Sequence, residues 1–145
     1  DHVVPLVDQN YNTIQSPKGR AISGLSMGGR HSMFIGFRSL DLFANFGILS
    51  AGDENAETSL KPFLTDPKVN EKVDYLFVGQ GTLEAQSFFN RRCQALHEAL
   101  SSHNIKHEYY IGGHGSHDWS TWRHLLYYRF LTNLWKKKIH QNNLK

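Results

Sequence analysis

The sequence predicts an α/β fold, a mostly parallel sheet with helices on both faces. Three observations predict it. Helical and strand-like patterns alternate along most of the chain, the rhythm of parallel strands joined by helical crossovers. The run at residues 20–25 is apolar with little alternation, as strands buried on both faces are. The segments just beyond the strand-like runs collect Gly, Ser, Asp, Glu and His, the residues that build turns and sites at strand ends.

Taken in order, Val3, Val7 and Tyr11 stand four apart with Leu6 on the same side, which reads as the end of an amphipathic helix in which Pro5 marks a start or a kink. Residues 12–19 hold turn formers and Pro17 and read as a loop. Residues 20–25 form the first strand. A helix over 28–38 follows, with Met33, Phe34 and Phe37 on its apolar side and His31 in its first turns as an exposed or structural residue. Residues 46–50 form the second strand and 51–54 a loop beyond it. Residues 54–72, with Pro62 and Pro67, read as a long surface excursion with at most short helices. Residues 73–78 form the third strand, and Gly79-Gln80-Gly81-Thr82-Leu83-Glu84 leads into a helix ending near His103. Phe89, Cys93, Leu96 and Leu100 give that helix a buried stripe. Residues 106–111 form the fourth strand, 112–118 a turn-rich loop, and 119–138 a last helix whose apolar face carries Trp122, Leu126, Phe130 and Leu134.

The 145 residues suffice for one domain with a core. No apolar run approaches the roughly 20 residues of a membrane span, so no membrane partner is expected. The formal charge is +3, part of it from Lys136-Lys137-Lys138. Lysines there offset the negative end of a helix dipole, and without a basic stripe interleaved with aromatics no nucleic-acid partner is expected. Cys93 is the only cysteine, so it has no intrachain disulfide partner and reads as a small buried hydrophobe. The apolar first strand has nothing before it to pair with its other edge. The N-terminal strands of the domain are therefore expected to be missing, and residues 1–145 to form the C-terminal part of a single domain.

Gly24-Leu25-Ser26-Met27-Gly28 is a Gly-x-Ser-x-Gly pattern set between a strand and a helix. In α/β-hydrolases that layout is the nucleophile elbow, which lifts a serine Oγ into the open. The glycines at 24 and 28 are expected where a side chain would collide with a neighbouring strand or helix. A serine needs a base, usually histidine, oriented by a third group, and in this fold the members follow in the order Ser, acid, His at strand ends. Ser26 follows the first strand, Glu84 the third, and His114 and His117 the fourth. His117 is favoured as base because the last helix fixes the chain there, with His114 the alternative. Glu84 is the acid read from this order, and Asp53 beyond the second strand is the alternative. Asp118 lies too close to His117 to reach its Nδ1 and makes a better helix cap. The helix that follows aims its N-terminal N–H groups at the reacting carbonyl, which supports a developing oxyanion. This chemistry needs no metal or cofactor, and no carboxylate or Cys accompanies His114 and His117 at ligand spacing.

Gly-Leu-Ser-Met-Gly-Gly, the later Gly-Thr-Leu-Glu, and His-Asp-Trp with Trp122 following resemble the esterase D-like α/β-hydrolases, most closely carbohydrate esterase family 1. The resemblance covers nearly the whole chain. It implies a serine ester hydrolase with Ser26 as nucleophile, His117 as base and Met27 N–H as one oxyanion donor. The family acid is usually Asp in a Gly-Thr-x-Asp segment, where this chain has Glu84. The implied substrate is a feruloyl or acetyl ester of plant polysaccharide, and the implied location is extracellular. Siderophore esterases, S-formylglutathione hydrolases and acyltransferases share such a site. A non-catalytic binding module on the same fold is the alternative from another class.

Overall fold

The computed structural model describes residues 2–87 and 90–136. Among the described residues, four parallel strands form one sheet in the order β1-β2-β3-β4, comprising β1 (Ala21–Leu25), β2 (Asn45–Leu49), β3 (Tyr75–Gly81) and β4 (Glu108–Gly112). The helices are α1 (Val3–Asn10), α2 (Met27–Phe37), the short α3 (Ala56–Ser59), α4 (Lys61–Leu64) and α5 (Val69–Lys72), then α6 (Asn90–Ser102) and α7 (Trp119–Arg123). A π-helical segment, His124–Leu131, continues α7.

Side chains alternate along the central strands. Phe46 and Ile48 of β2 and Leu76 and Val78 of β3 pack with Met33 and Phe37 of α2 and Leu96 and Leu100 of α6. Leu49 and Phe77 point the other way and pack with Leu125 and Phe130 of the π-helical segment. Two-sided burial is why these strands read as apolar runs. Cys93 is buried, as its place in the stripe predicts.

Several elements depart from the sequence reading. β1 is half-buried at every residue, because among the described residues it pairs only with β2 and stands at the sheet edge. α1 forms but buries no residue, leaving Val3 and Leu6 exposed. The 54–72 segment forms short helices as expected, yet it is not a surface excursion. Its Ala56, Leu60, Phe63, Leu64 and Val69 are buried in the core, and Phe63 stacks on Phe37 with ring centroids 4.0 Å apart. Burying such a phenylalanine contributes roughly 1.5–3 kcal/mol. β3 runs on through Gly79-Gln80-Gly81, held in register by β4 on one side, with Gly79 also paired to β2. A short 3-10 turn (Glu84–Gln86) precedes α6, so that helix starts later than predicted.

The last helix differs most. The expected stripe assumed 3.6 residues per turn, but the π-helical turns are wider. Leu125 and Phe130, five apart, therefore share the buried face, while Leu126 turns out to solvent. Phe89, Lys137 and Lys138 lie outside the described residues. Among the described residues, no helix is long and apolar enough to cross a membrane.

Candidate active site

Ser26 sits between β1 and α2 at φ 52° and ψ −123°, a conformation rarely taken by a residue with a side chain. Such a backbone costs about 1–3 kcal/mol and persists only where its surroundings hold it. Two bonds do so here: Ser26 N–H donates to Leu49 O at 2.9 Å, and Arg30 N–H donates to Ser26 O at 3.1 Å. The turn is also crowded. A Cβ on Gly24 would lie 2.3 Å from Gly28 O, and one on Gly29 would lie 2.7 Å from the Ala51 Cβ. A Cβ on Gly28 would meet nothing within 4 Å. The close approach thus falls on Gly24 and Gly29, and the expected collision at Gly28 is absent.

Parallel strands deliver all their C-terminal ends to one end of the sheet. Leu25 pairs with Leu49 and Leu49 with Gly79, while Gly81 pairs with Gly112, so the residues just past each strand gather there. Two contacts bring the last two loops together. Leu83 N–H donates to Gly115 O at 3.0 Å, and a Cβ on Gly81 would lie 2.3 Å from that same oxygen. Asp118 caps α7, accepting from Thr121 N–H at 2.9 Å, which fixes the residue after His117. The backbone N–H of Thr121 above all, with help from Ser116, holds the Asp118 carboxyl below its ordinary range.

His117 lies between Ser26 and Glu84. Its Nε2 is 2.7 Å from Ser26 Oγ, and its Nδ1 is 2.5 Å from Glu84 Oε1. Glu84 is only 2% exposed, and its other oxygen accepts from Ser50 Oγ and from Gly81 N–H, both at 2.7 Å. An ionised carboxylate only accepts, so the His117 proton belongs on Nδ1 and Nε2 is left to accept from the serine. Trp122 packs against the imidazole nearly perpendicular, with centroids 5.0 Å apart. Met27 opens α2, so its N–H has no intrahelical acceptor. This geometry can move a proton from Oγ to Nε2 while a buried carboxylate steadies the resulting imidazolium.

The alternatives stand elsewhere. The Asp53 carboxylate accepts from Ser59 Oγ at 2.7 Å and Asn55 N–H at 3.2 Å, and lies 3.7 Å from Arg30. It organises the start of the 54–72 segment. His114 is exposed, with φ 47°, and His31 is exposed on α2. Sequence reasoning missed Ser50. Residue 50 reads as a strand residue, whereas it occupies a turn at φ 50° with its hydroxyl on Glu84.

Two clefts meet at Ser26. One, of about 280 Å³, is lined by Arg30, Ser50, Arg92 and His117 among others. The second, a shallower groove of about 580 Å³, is apolar and is lined by Leu25, Leu49, Trp119 and Leu126. Met27 borders both.

A parallel sheet flanked by helices, with a strained serine turn between a strand and the next helix, is the α/β-hydrolase fold. Within it, the family model Esterase matches residues 1–132, and the chain belongs to that family. Its sequence is 33% identical over 126 residues to the endo-1,4-β-xylanase/feruloyl esterase of Xylanibacter ruminicola, covering 87% of this chain and 16% of that protein. Among solved structures it is similar to a ferulic acid esterase at a TM-score of 0.71 and 24% identity, covering 89% of this chain and 56% of the other. It is also similar to the CE1 ferulic acid esterase of Anaeromyces mucronatus in complex with ferulic acid, at a TM-score of 0.73 and 20% identity, covering 91% and 51%. The chain thus spans about half the length of these structures and a sixth of the bifunctional relative.

Proposed function

We propose that this chain carries the machinery of a serine carboxylic-ester hydrolase, with Ser26 as nucleophile, His117 as general base and acid, and Glu84 as the orienting carboxylate. The observation that carries the reading is the unbroken contact from Ser26 Oγ through the His117 ring to a buried carboxylate. His117 Nε2 takes the hydroxyl proton as Oγ attacks the ester carbonyl. Met27 N–H, at the positive end of α2, donates to the oxyanion. Collapse breaks the acyl–oxygen bond, and the proton on Nε2 passes to the leaving alcohol. Water, activated by the same nitrogen, then frees the acid from the acyl-enzyme. Feruloyl or acetyl esters of plant polysaccharide are the proposed substrates, supported by membership of the esterase family and by likeness to feruloyl esterases.

The test is hydrolysis of p-nitrophenyl acetate and methyl ferulate by the full-length protein beside its Ser26→Ala variant, with fluorophosphonate labelling in parallel. Turnover and labelling that vanish together in Ser26→Ala support the reading. A protein inert on both esters and unlabelled by the probe would be a binding module instead.

A further inference from the structure

The two clefts at Ser26 differ in chemistry, and His117 borders only one of them. If His117 hands its proton to the leaving oxygen, as the proposed reaction requires, the alcohol part of the ester must sit on the His117 side. The acyl part then falls to the apolar groove beside Leu25, Trp119 and Leu126. Arg30 and Arg92 also line the His117 cleft, and among the described residues no Asp or Glu lines it.

Neither arginine is there by accident of a mobile side chain alone. Arg30 stands one turn into α2, its backbone bonded to Ser26 and its guanidinium over the Phe34 ring at 5.5 Å. Arg92 is brought in by backbone packing: a Cβ on Gly52 would lie 2.1 Å from Arg92 O, so only a glycine lets α6 approach this closely. Their acidic neighbours leave both with capacity to spare. Asp53 already accepts from Asn55 and Ser59 and lies 3.7 Å from Arg30, and Glu54 meets Arg92 only through Nε at 3.4 Å. Each arginine side chain remains 43% exposed.

We infer that the His117 cleft binds the alcohol portion of an anionic ester, a carboxylate-bearing alcohol held by Arg30 and Arg92. The inference rests on the proposed esterase reading and names the substrate class of that site. The bonds made and broken are those of ordinary ester hydrolysis. Oγ gains the acyl group, and the carboxylated alcohol leaves with the proton from His117.

The experiment compares 4-acetoxybenzoate with its methyl ester, which share an acetyl group and differ in the charge on the leaving phenol. Values of kcat/KM for the full-length protein are each normalised to the ester's rate with hydroxide. Two partly exposed charge-assisted contacts are expected to give about a tenfold preference for the anion, falling as salt is added. The Arg30→Gln/Arg92→Gln double variant is expected to bring the ratio near one. A ratio near one in the unmutated protein, or a preference insensitive to both salt and the double variant, overturns the inference while leaving the esterase reading intact. Failure to hydrolyse either ester, with no fluorophosphonate labelling, overturns the esterase reading and this inference with it.

Discussion

Removing the Ser50 hydroxyl tests whether the buried carboxylate must be held from behind. Glu84 Oε2 receives two donors, Ser50 Oγ and Gly81 N–H, while Oε1 faces His117. Ser50→Ala removes one of the two without touching Ser26 or His117. A hydrogen bond to a charged group contributes about 1.5–3 kcal/mol. If roughly half of that is felt when the imidazolium leans on Glu84, about 0.75–1.5 kcal/mol of transition-state stabilisation disappears, a roughly three- to tenfold fall in kcat/KM. The assay is p-nitrophenyl acetate hydrolysis, read as kcat and KM separately, with thermal unfolding alongside. Ser50→Gly completes the design, because residue 50 has φ 50° and glycine relaxes that backbone while also lacking the hydroxyl. Both variants should lose similar activity, and the glycine variant should be the more stable of the two. Activity within twofold of the unmutated protein in Ser50→Ala, or retained in Ser50→Gly alone, would refute the reasoning.

Other substitutions probe other parts of the fold. Glu84→Gln should lower kcat by about 10³–10⁴, as losing the orienting charge does in serine triads, while Asp53→Asn stays within about tenfold; the reverse ranking would move the acid to Asp53. Leu125→Ala should cost about 2–5 kcal/mol in denaturant unfolding and the exposed Leu126→Ala less than about 1, an order that ordinary α-helical spacing would invert. Gly24→Ala should prevent a stable fold, whereas Gly28→Ala should gain up to about 1 kcal/mol of helix stability, since its Cβ enters open space. Burial above all, with the nearby Glu84 charge, pushes the Cys93 thiol up to about 12. The native protein should therefore resist iodoacetamide at pH 8. Its stability should fall as pH rises above about 9, where the unfolded thiol ionises and the native one does not; a fast-alkylating native Cys93 would contradict this.

What could be read from the sequence was what a single period or a single backbone demand encodes. Strands β1 and β2 and the first half of β3 show as short apolar runs, and the Ser26 turn shows through the glycines around it. The order of Ser26, Glu84 and His117 along the chain anticipated the residues that the structure brings together. The misses have physical causes. Gly79 and Gly81 read as turn formers, yet neighbouring strands on the sheet keep β3 extended through both. The prolines of the 54–72 segment signalled irregularity correctly but carried no information about burial, which depends on Phe37 waiting beneath Phe63. The π-helical turns that exchange Leu126 for Leu125 depend on how the segment packs against Leu49 and Phe77, residues far away in sequence. Ser50 was invisible because serine at a strand end is ordinary. Only the arrival of Glu84, 34 residues later, gives its hydroxyl a purpose.

The strand order carries a consequence for how the protein acquires activity. Neighbours in the sheet are neighbours in sequence, so each strand can dock on the one synthesised before it. The contact between Ser26 and His117 closes a loop spanning 91 residues and waits on β4. Reactivity of Ser26 thus reports the docking of β4. Because β4 is also an edge strand among the described residues, its partial detachment would silence the serine while the core of β2 and β3 stayed intact. Mild denaturant should extinguish activity before it extinguishes the far-ultraviolet signal of the sheet.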